Sequence, residues 1–198
     1  RAFMAGIRGT ATGVNDAISD GSIAYSILTA AATSSDPNYS GRNAADVAVT
    51  NQDNDTAGIT VVPTSGLTTT ETGGTATFTV RLDTEPAANV TIGLSSSDTT
   101  EGNVGPTSLT FTPANWNTQQ TVTITGVNDA LADGNIAYSI ITATATSTDA
   151  AYNGRNAADV QVTNQDNDTP GITVVPTSGL TTTEAGGTAT FTVRLHSE

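Results

Sequence analysis

The sequence predicts an all-β chain of tandem immunoglobulin-like antiparallel β-sandwiches with a period of 113 residues. Three observations carry that reading. Gly58-Ile59-Thr60-Val61-Val62-Pro63-Thr64-Ser65-Gly66-Leu67 returns unchanged from Gly171 to Leu180, and at the same offset 34 of the 45 positions in 13–57 and 25 of the 28 in 171–198 match their partners. A period of that length is sought before any single element, because it decides what one folding unit is. Apolar residues alternate with threonine, the period of half-buried strands, and helical spacing is absent. Turns rich in Gly, Pro and Asn separate the alternating runs. The period divides the 198 residues into the C-terminal half of a repeat (1–57), a complete repeat (58–170) and the N-terminal half of the next (171–198).

Seven strands are expected in the complete repeat. The first, 59–62, ends at Pro63-Thr64-Ser65-Gly66. The second, 75–82, follows Gly73-Gly74 and places Phe78, Val80 and Leu82 on one face. Glu85-Pro86 interrupts the chain before 89–94, whose Val90, Ile92 and Leu94 point inward. After Gly105-Pro106, 108–112 buries Leu109 and Phe111, and 120–125 buries Val122 and Ile124. Asp133-Gly134 precedes the longest strand, 135–145, with Ile136, Tyr138 and Ile140 together. Beyond Asn153-Gly154, 158–163 closes the unit through Val160 and Val162. Trp116 is expected to plug one end of a core poor in aromatics, and Arg155 to tether Asp159.

Composition narrows the function. Six arginines, no lysine and 19 acidic residues give a net charge of −13. Nucleic acid and anionic membrane both need a basic footprint, so neither is an expected partner. No apolar run approaches the roughly 18 residues of a membrane-spanning helix, so no membrane insertion is expected. There is no cysteine and only one histidine, His196. Thiol catalysis, zinc–thiolate sites and a multi-histidine centre are excluded, and no enzyme is expected. Many acids without cysteine suit an extracellular or cell-surface setting.

The acids fall in loops. Glu71 precedes the second strand, Glu101 lies between the third and fourth, Asp129 and Asp133 lie between the fifth and sixth, and Asp166 and Asp168 follow the last. In an up-and-down alternation of seven strands these connections emerge at one pole. Carboxylates crowded there repel unless a cation joins them, and oxygen-only ligands favour Ca²⁺. Partial clusters stand at Asp16, Asp20, Asp53 and Asp55 in the front segment and at Glu184 in the rear one. The competing reading makes these residues turn acids that cap backbone N–H groups. Asp83, Glu85 and Asp149 read as solvated surface acids.

Thr70-Glu71-Thr72-Gly73-Gly74-Thr75-Ala76-Thr77-Phe78-Thr79-Val80-Arg81-Leu82 resembles the opening of a Calx-beta domain. Leu109-Thr110-Phe111-Thr112-Pro113 leading into Thr121-Val122-Thr123-Ile124 is similar to that family's middle. Asn128-Asp129-Ala130-Leu131-Ala132-Asp133-Gly134 resembles its acidic loop, and Val162-Thr163-Asn164-Gln165-Asp166-Asn167-Asp168 its terminal acid run. The resemblance implies a calcium-binding β-sandwich with Glu71, Glu101, Asp129, Asp133, Asp166 and Asp168 at ligand positions. Two departures imply weaker binding or fewer ions: Ile136 stands near a position where the family usually has an acid, and Asn164 and Gln165 replace two of three terminal acids.

Tandem, acidic, cysteine-free sandwiches also resemble the extender arrays of large bacterial surface adhesins. That likeness implies a mechanical, non-catalytic role, with Ca²⁺ rigidifying interdomain joints and neighbouring copies of the same repeat as partners. A second expectation is a filament or sheath subunit, whose complementary half-repeats join other chains by strand complementation. A carbohydrate-binding module is a third, set against Trp116 standing nearly alone as a stacking surface.

Overall fold

β-branched side chains restrict their own rotamers and favour extended backbone, and threonine and valine dominate this chain. A computed structural model describes residues 9–198, so the first eight residues of the 1–57 segment lie outside the described residues. Among the described residues there are thirteen strands and no helix. They are β1 (Ile23–Ile27), β2 (Val47–Asn51), β3 (Ile59–Val62), β4 (Leu67–Thr70), β5 (Thr75–Leu82), β6 (Val90–Ser96) and β7 (Gly102–Gly105). The chain continues through β8 (Ser108–Phe111), β9 (Gln120–Gly126), β10 (Ile136–Thr142), β11 (Val160–Gln165), β12 (Ile172–Val175) and β13 (Thr192–Leu195).

Strands β3 to β11 form two sheets, one ordered β3-β5-β9-β7 and the other β4-β11-β10-β6-β8. Every pairing is antiparallel except β4 with β11, which is parallel. The alternation read from the sequence fills the space between the sheets. Phe78, Val80, Leu82, Val122 and Ile124 face inward from one sheet, and Val90, Ile92, Leu109, Phe111, Ile140 and Val160 from the other. This is the two-layer, immunoglobulin-like architecture. Trp116 packs half-buried against the core's edge.

The seven expected strands become nine. β4 and β7 lack apolar alternation, one being Leu-Thr-Thr-Thr and the other Gly-Asn-Val-Gly. Their pairing partners decide their conformation: β4 lies along β11, and β7 along β9 with Gly102 opposite Gly126. The path is therefore no up-and-down alternation, because the chain passes from one sheet to the other between β3 and β4. The long strand expected over 135–145 stops at Thr142, whose N–H and hydroxyl both donate to Asp159. β11 accordingly starts two residues later than expected.

That capping role also corrects the tether assigned to Arg155. Its Nε donates to the Ala151 carbonyl instead, leaving Asp159 to Thr142. Asp149 is likewise no free surface acid, since its carboxylate accepts the N–H groups of Ala87 and Ala151 at 2.8 Å each. Tyr152, wholly buried and unremarked in the sequence reading, anchors the β5–β6 connection. Its hydroxyl accepts the Thr84 N–H at 3.0 Å and donates to the Thr84 carbonyl at 2.8 Å, satisfying both main-chain groups of a buried residue.

The ends repeat the same pairings. β1 pairs with β2 as Ile23 with Asn51, and 113 residues later Ile136 pairs with Asn164. β12 pairs with β13 as Ile172 with Leu195, matching Ile59 with Leu82.

Replacing Tyr152 with Phe removes one hydroxyl and leaves two buried main-chain groups without partners. Urea unfolding of Tyr152→Phe is expected to show a loss of about 1–3 kcal/mol. An unchanged midpoint would mean that this tie does not hold the β5–β6 connection.

Candidate metal centre

The six candidate acids of the complete repeat gather at one pole, but as two groups of three. Oxygens of Glu71, Asp166 and Asp168 lie within 4.8 Å of one another, and so do those of Glu101, Asp129 and Asp133. The first group is built by the parallel β4–β11 pair. The N–H of Glu71 donates to the Gln165 carbonyl at 3.1 Å, which continues the ladder one residue past β4. Glu71 is only 4% exposed, and its Oε2 accepts the Asn167 N–H at 2.9 Å. Asp166 accepts the N–H groups of Gly134 at 2.8 Å and Asp168 at 2.7 Å. Asp168 then places Oδ2 where neither solvent nor a hydrogen-bond donor reaches it.

The second group hangs on β7 and the β9–β10 connection. Glu101, 6% exposed, immediately precedes β7, and its carbonyl accepts the Val127 N–H at 3.0 Å. Asp129 uses Oδ1 to accept the Leu131 N–H at 2.8 Å, and Asp133 is exposed. Capping thus occurs at Asp129 and Asp166, as the turn-acid reading expects. It leaves Asp168 Oδ2 without a partner.

Asn164, 1% exposed, ties Glu101 of the second group to β4, the strand that leads into Glu71. Its Nδ2 donates to Glu101 at 3.3 Å and to the Val127 carbonyl at 3.0 Å, while Oδ1 accepts the Thr69 hydroxyl at 3.0 Å. The Thr69 hydroxyl also bonds the Tyr138 hydroxyl at 3.1 Å. Two glycines make room for this buried network. A Cβ at Gly102 would strike the Tyr138 ring, and one at Gly126 would strike the Thr70 carbonyl and Asn164. Sequence reasoning took Asn164 only as a replaced acid and missed this role. The available signal was a polar residue at an inward position of an alternating strand.

The partial clusters behave differently. Asp16, Asp20, Asp53 and Asp55 line one cavity but do not close into a group of three. Asp53 copies the contacts of Asp166, accepting from Gly21 and Asp55 at 2.8 Å each. Those N–H bonds, Asp55's first, hold its carboxyl below the ordinary range. Glu184 lies exposed beside a Thr183–Gly187 bridge that repeats Thr70–Gly74, and it joins no group among the described residues.

Burial pushes the Glu101 carboxyl above its ordinary range. The Asn164 amide opposes this, and the charges of Asp133, Asp129 and Asp98 add to the rise. Asp98 is itself held low by the Thr100 hydroxyl and N–H, so it stays ionised beside Glu101. Hard oxygen donors, several of them carboxylate, suit a Ca²⁺ ion, and the orphaned Asp168 oxygen fits a cation better than any donor present.

No protein-family model matches the chain, and no curated protein matches it in sequence. Among solved structures it is similar to the apo form of the Calx CBD1 domain, at 14% identity and a TM-score of 0.45, covering 58% of this chain and 100% of that one. It is also similar to the calcium-binding domain CBD12 of CALX1.1, at 12% identity and 0.44, covering 70% of each. A third similarity is to the periplasmic chaperone SfaE, at 9% identity and 0.44, covering 56% of this chain and 58% of that one. The functional reading comes from this chain's own residues.

A carboxyl raised on folding stabilises the fold when protonated. Its contribution is fully present below the unfolded value and is lost as pH rises through the folded one. In a chelator, Glu101 is therefore expected to raise the melting temperature as pH falls from 7 toward its ordinary value of 4.5. Glu101→Gln, neutral at every pH, should remove that gain. Identical pH profiles for the two proteins would show that Glu101 is not the titrating group.

Proposed function

We propose that this chain is a non-catalytic structural repeat of a large extracellular or cell-surface protein, an adhesin-type extender, in which Ca²⁺ rigidifies the joints between units. The units are 58–170 as one complete repeat, 1–57 as the rear of its predecessor and 171–198 as the front of its successor. The observation that carries the reading is Asp168 Oδ2, buried and unpartnered beside Glu71 and Asp166. Asp168 lies between β11, the last strand of the two sheets, and β12, the first strand beyond them. A cation held by Asp168 together with Glu71 ties that outgoing segment to the body of the unit. The groups gathered at this pole are mainly carboxylates, with the Asn164 amide and the Thr69 and Tyr138 hydroxyls behind them, a set of hard oxygen donors suited to a cation. Glu101, Asp129 and Asp133 would hold a second ion. The chemistry the ion supplies is charge neutralisation, with no reaction attached.

A second reading, a filament or sheath subunit joined by strand complementation, is favoured by the exposed apolar faces at both ends. Phe191, Val193 and Leu195 are 59%, 58% and 64% exposed, although their equivalents Phe78, Val80 and Leu82 are core residues. Ile23 and Val47 are likewise exposed. Either the adjoining part of a repeat array or another chain covers such faces, and the native mass distinguishes the two.

Calcium that binds only the folded chain, at 100 times its dissociation constant, adds about 2.7 kcal/mol per site. Thermal unfolding in calcium against a chelator is expected to show that gain. Asp129→Asn with Asp166→Asn should abolish most of it. Asp149→Asn, which loses a cap, should lower stability equally in both conditions. A melting temperature indifferent to millimolar calcium would remove the cation from the account.

A further inference from the structure

The main chain between units repeats as faithfully as the sequence. Just after β5, the N–H of Asp83 bonds back to the carbonyl of Gly58 at 3.0 Å; after β13, His196 does the same to Gly171 at 3.0 Å. Two residues further on, the same corner reaches into the preceding unit. The N–H of Glu85 donates to the Ala17 carbonyl at 2.7 Å, and the N–H of Glu198 donates to the Ala130 carbonyl at 2.8 Å. Each residue in the second set stands 113 positions after its counterpart in the first. The acceptors Ala17 and Ala130 belong to the acidic loops that carry Asp16 and Asp20, and Asp129 and Asp133.

Packing around the corner agrees with a built contact. A Cβ on Gly58 would collide with the Asp83 carboxylate, and one on Gly171 with the His196 ring. Ala57, between the units, is only 3% exposed. Side chains at the corner nevertheless vary. Asp83 and Thr84 become His196 and Ser197, two of the three differences between 58–85 and 171–198. In the loop, Ile18 and Ser19 become Leu131 and Ala132. The bonds persist through all four changes because they use backbone donors and acceptors only.

We propose that consecutive repeats are held by this main-chain clasp, one bond across each joint from a corner braced within its own unit, which sets the orientation of neighbouring units without a cation and docks the acidic loop of one unit on the β5–β6 corner of the next. The partner is the following copy of the repeat. The clasp rests on the array reading above, but not on its calcium. It places the loop bearing Asp129 and Asp133 against the following unit, so that each second-group carboxylate cluster is held from both sides of a joint.

The absence of cysteine allows two spin labels to be placed uniquely, at Ser40→Cys and Gln119→Cys, both exposed positions. Pulsed electron resonance on the full chain should give a single resolved distance peak in chelator, which calcium narrows further. Glu85→Pro, which deletes the N–H reaching Ala17, should broaden it at least twofold. Amide exchange in the unsubstituted chain keeps the test independent of that variant's folding: the Glu85 N–H should exchange at least tenfold more slowly than an open amide, with or without calcium. A distribution that is broad in chelator and narrow only in calcium, with Glu85 exchanging freely, would overturn the clasp and leave the calcium reading intact. A narrow, clasp-dependent distribution that ignores calcium would keep the clasp and take the ion out of the joint.

Discussion

Like charges crowded at one pole set the terms for this molecule. Two unit charges about 4.8 Å apart repel by roughly 3–4 kcal/mol at the effective dielectric of a protein surface, and each group here holds three carboxylates within that span. Among the described residues, no arginine forms an ion pair with these acids. Arg81 pairs with Asp83 at 3.3 Å, and Arg155 is bonded to Ala151. Much of the local architecture answers the crowding. Main-chain N–H groups reach Glu71, Asp129 and Asp166, Asn164 donates to Glu101, and two facing glycines open the space that Asn164 and Tyr138 occupy. After those answers, Asp168 Oδ2 still has no partner. A divalent cation is the simplest group that satisfies it.

The strands with clear alternation were legible. β5 runs over the residues expected, and its three inward side chains are core. β4 and β7 were not, because three threonines or two glycines carry no period, and their pairing comes from strands distant in sequence. The acids of the site were legible through their loops. Their division into two groups was not, since it depends on β4 crossing to the second sheet and lying parallel to β11. Asn164 was read only as a lost acid, and its buried hydrogen-bonding role escaped notice for a related reason. Its burial is set by Thr69 and Gly126, which the sequence does not place beside it. Asp149 and Arg155 show the converse error: the first was read as a solvated acid and the second as a tether for Asp159, and both are spent on main-chain groups.

The account joins two kinds of restraint at one place. Backbone bonds between the acidic loop and the next corner tolerate changes of side chain, so the geometry survives drift between copies. On the proposed reading, carboxylates in the same loop respond to their ionic surroundings, and a bound cation would add stiffness to the joint. The proposed extender role calls for both properties: length added in constant steps, and joints that resist bending.

The central claim is that a cation completes the Asp168 site. Crystals of the chain grown in millimolar calcium test it most directly, because anomalous scattering distinguishes calcium from water. The account predicts an ion about 2.3–2.6 Å from Asp168 Oδ2, shared with Glu71 and Asp166. A water or a protein donor on that oxygen, with no ion in either carboxylate group, would contradict it.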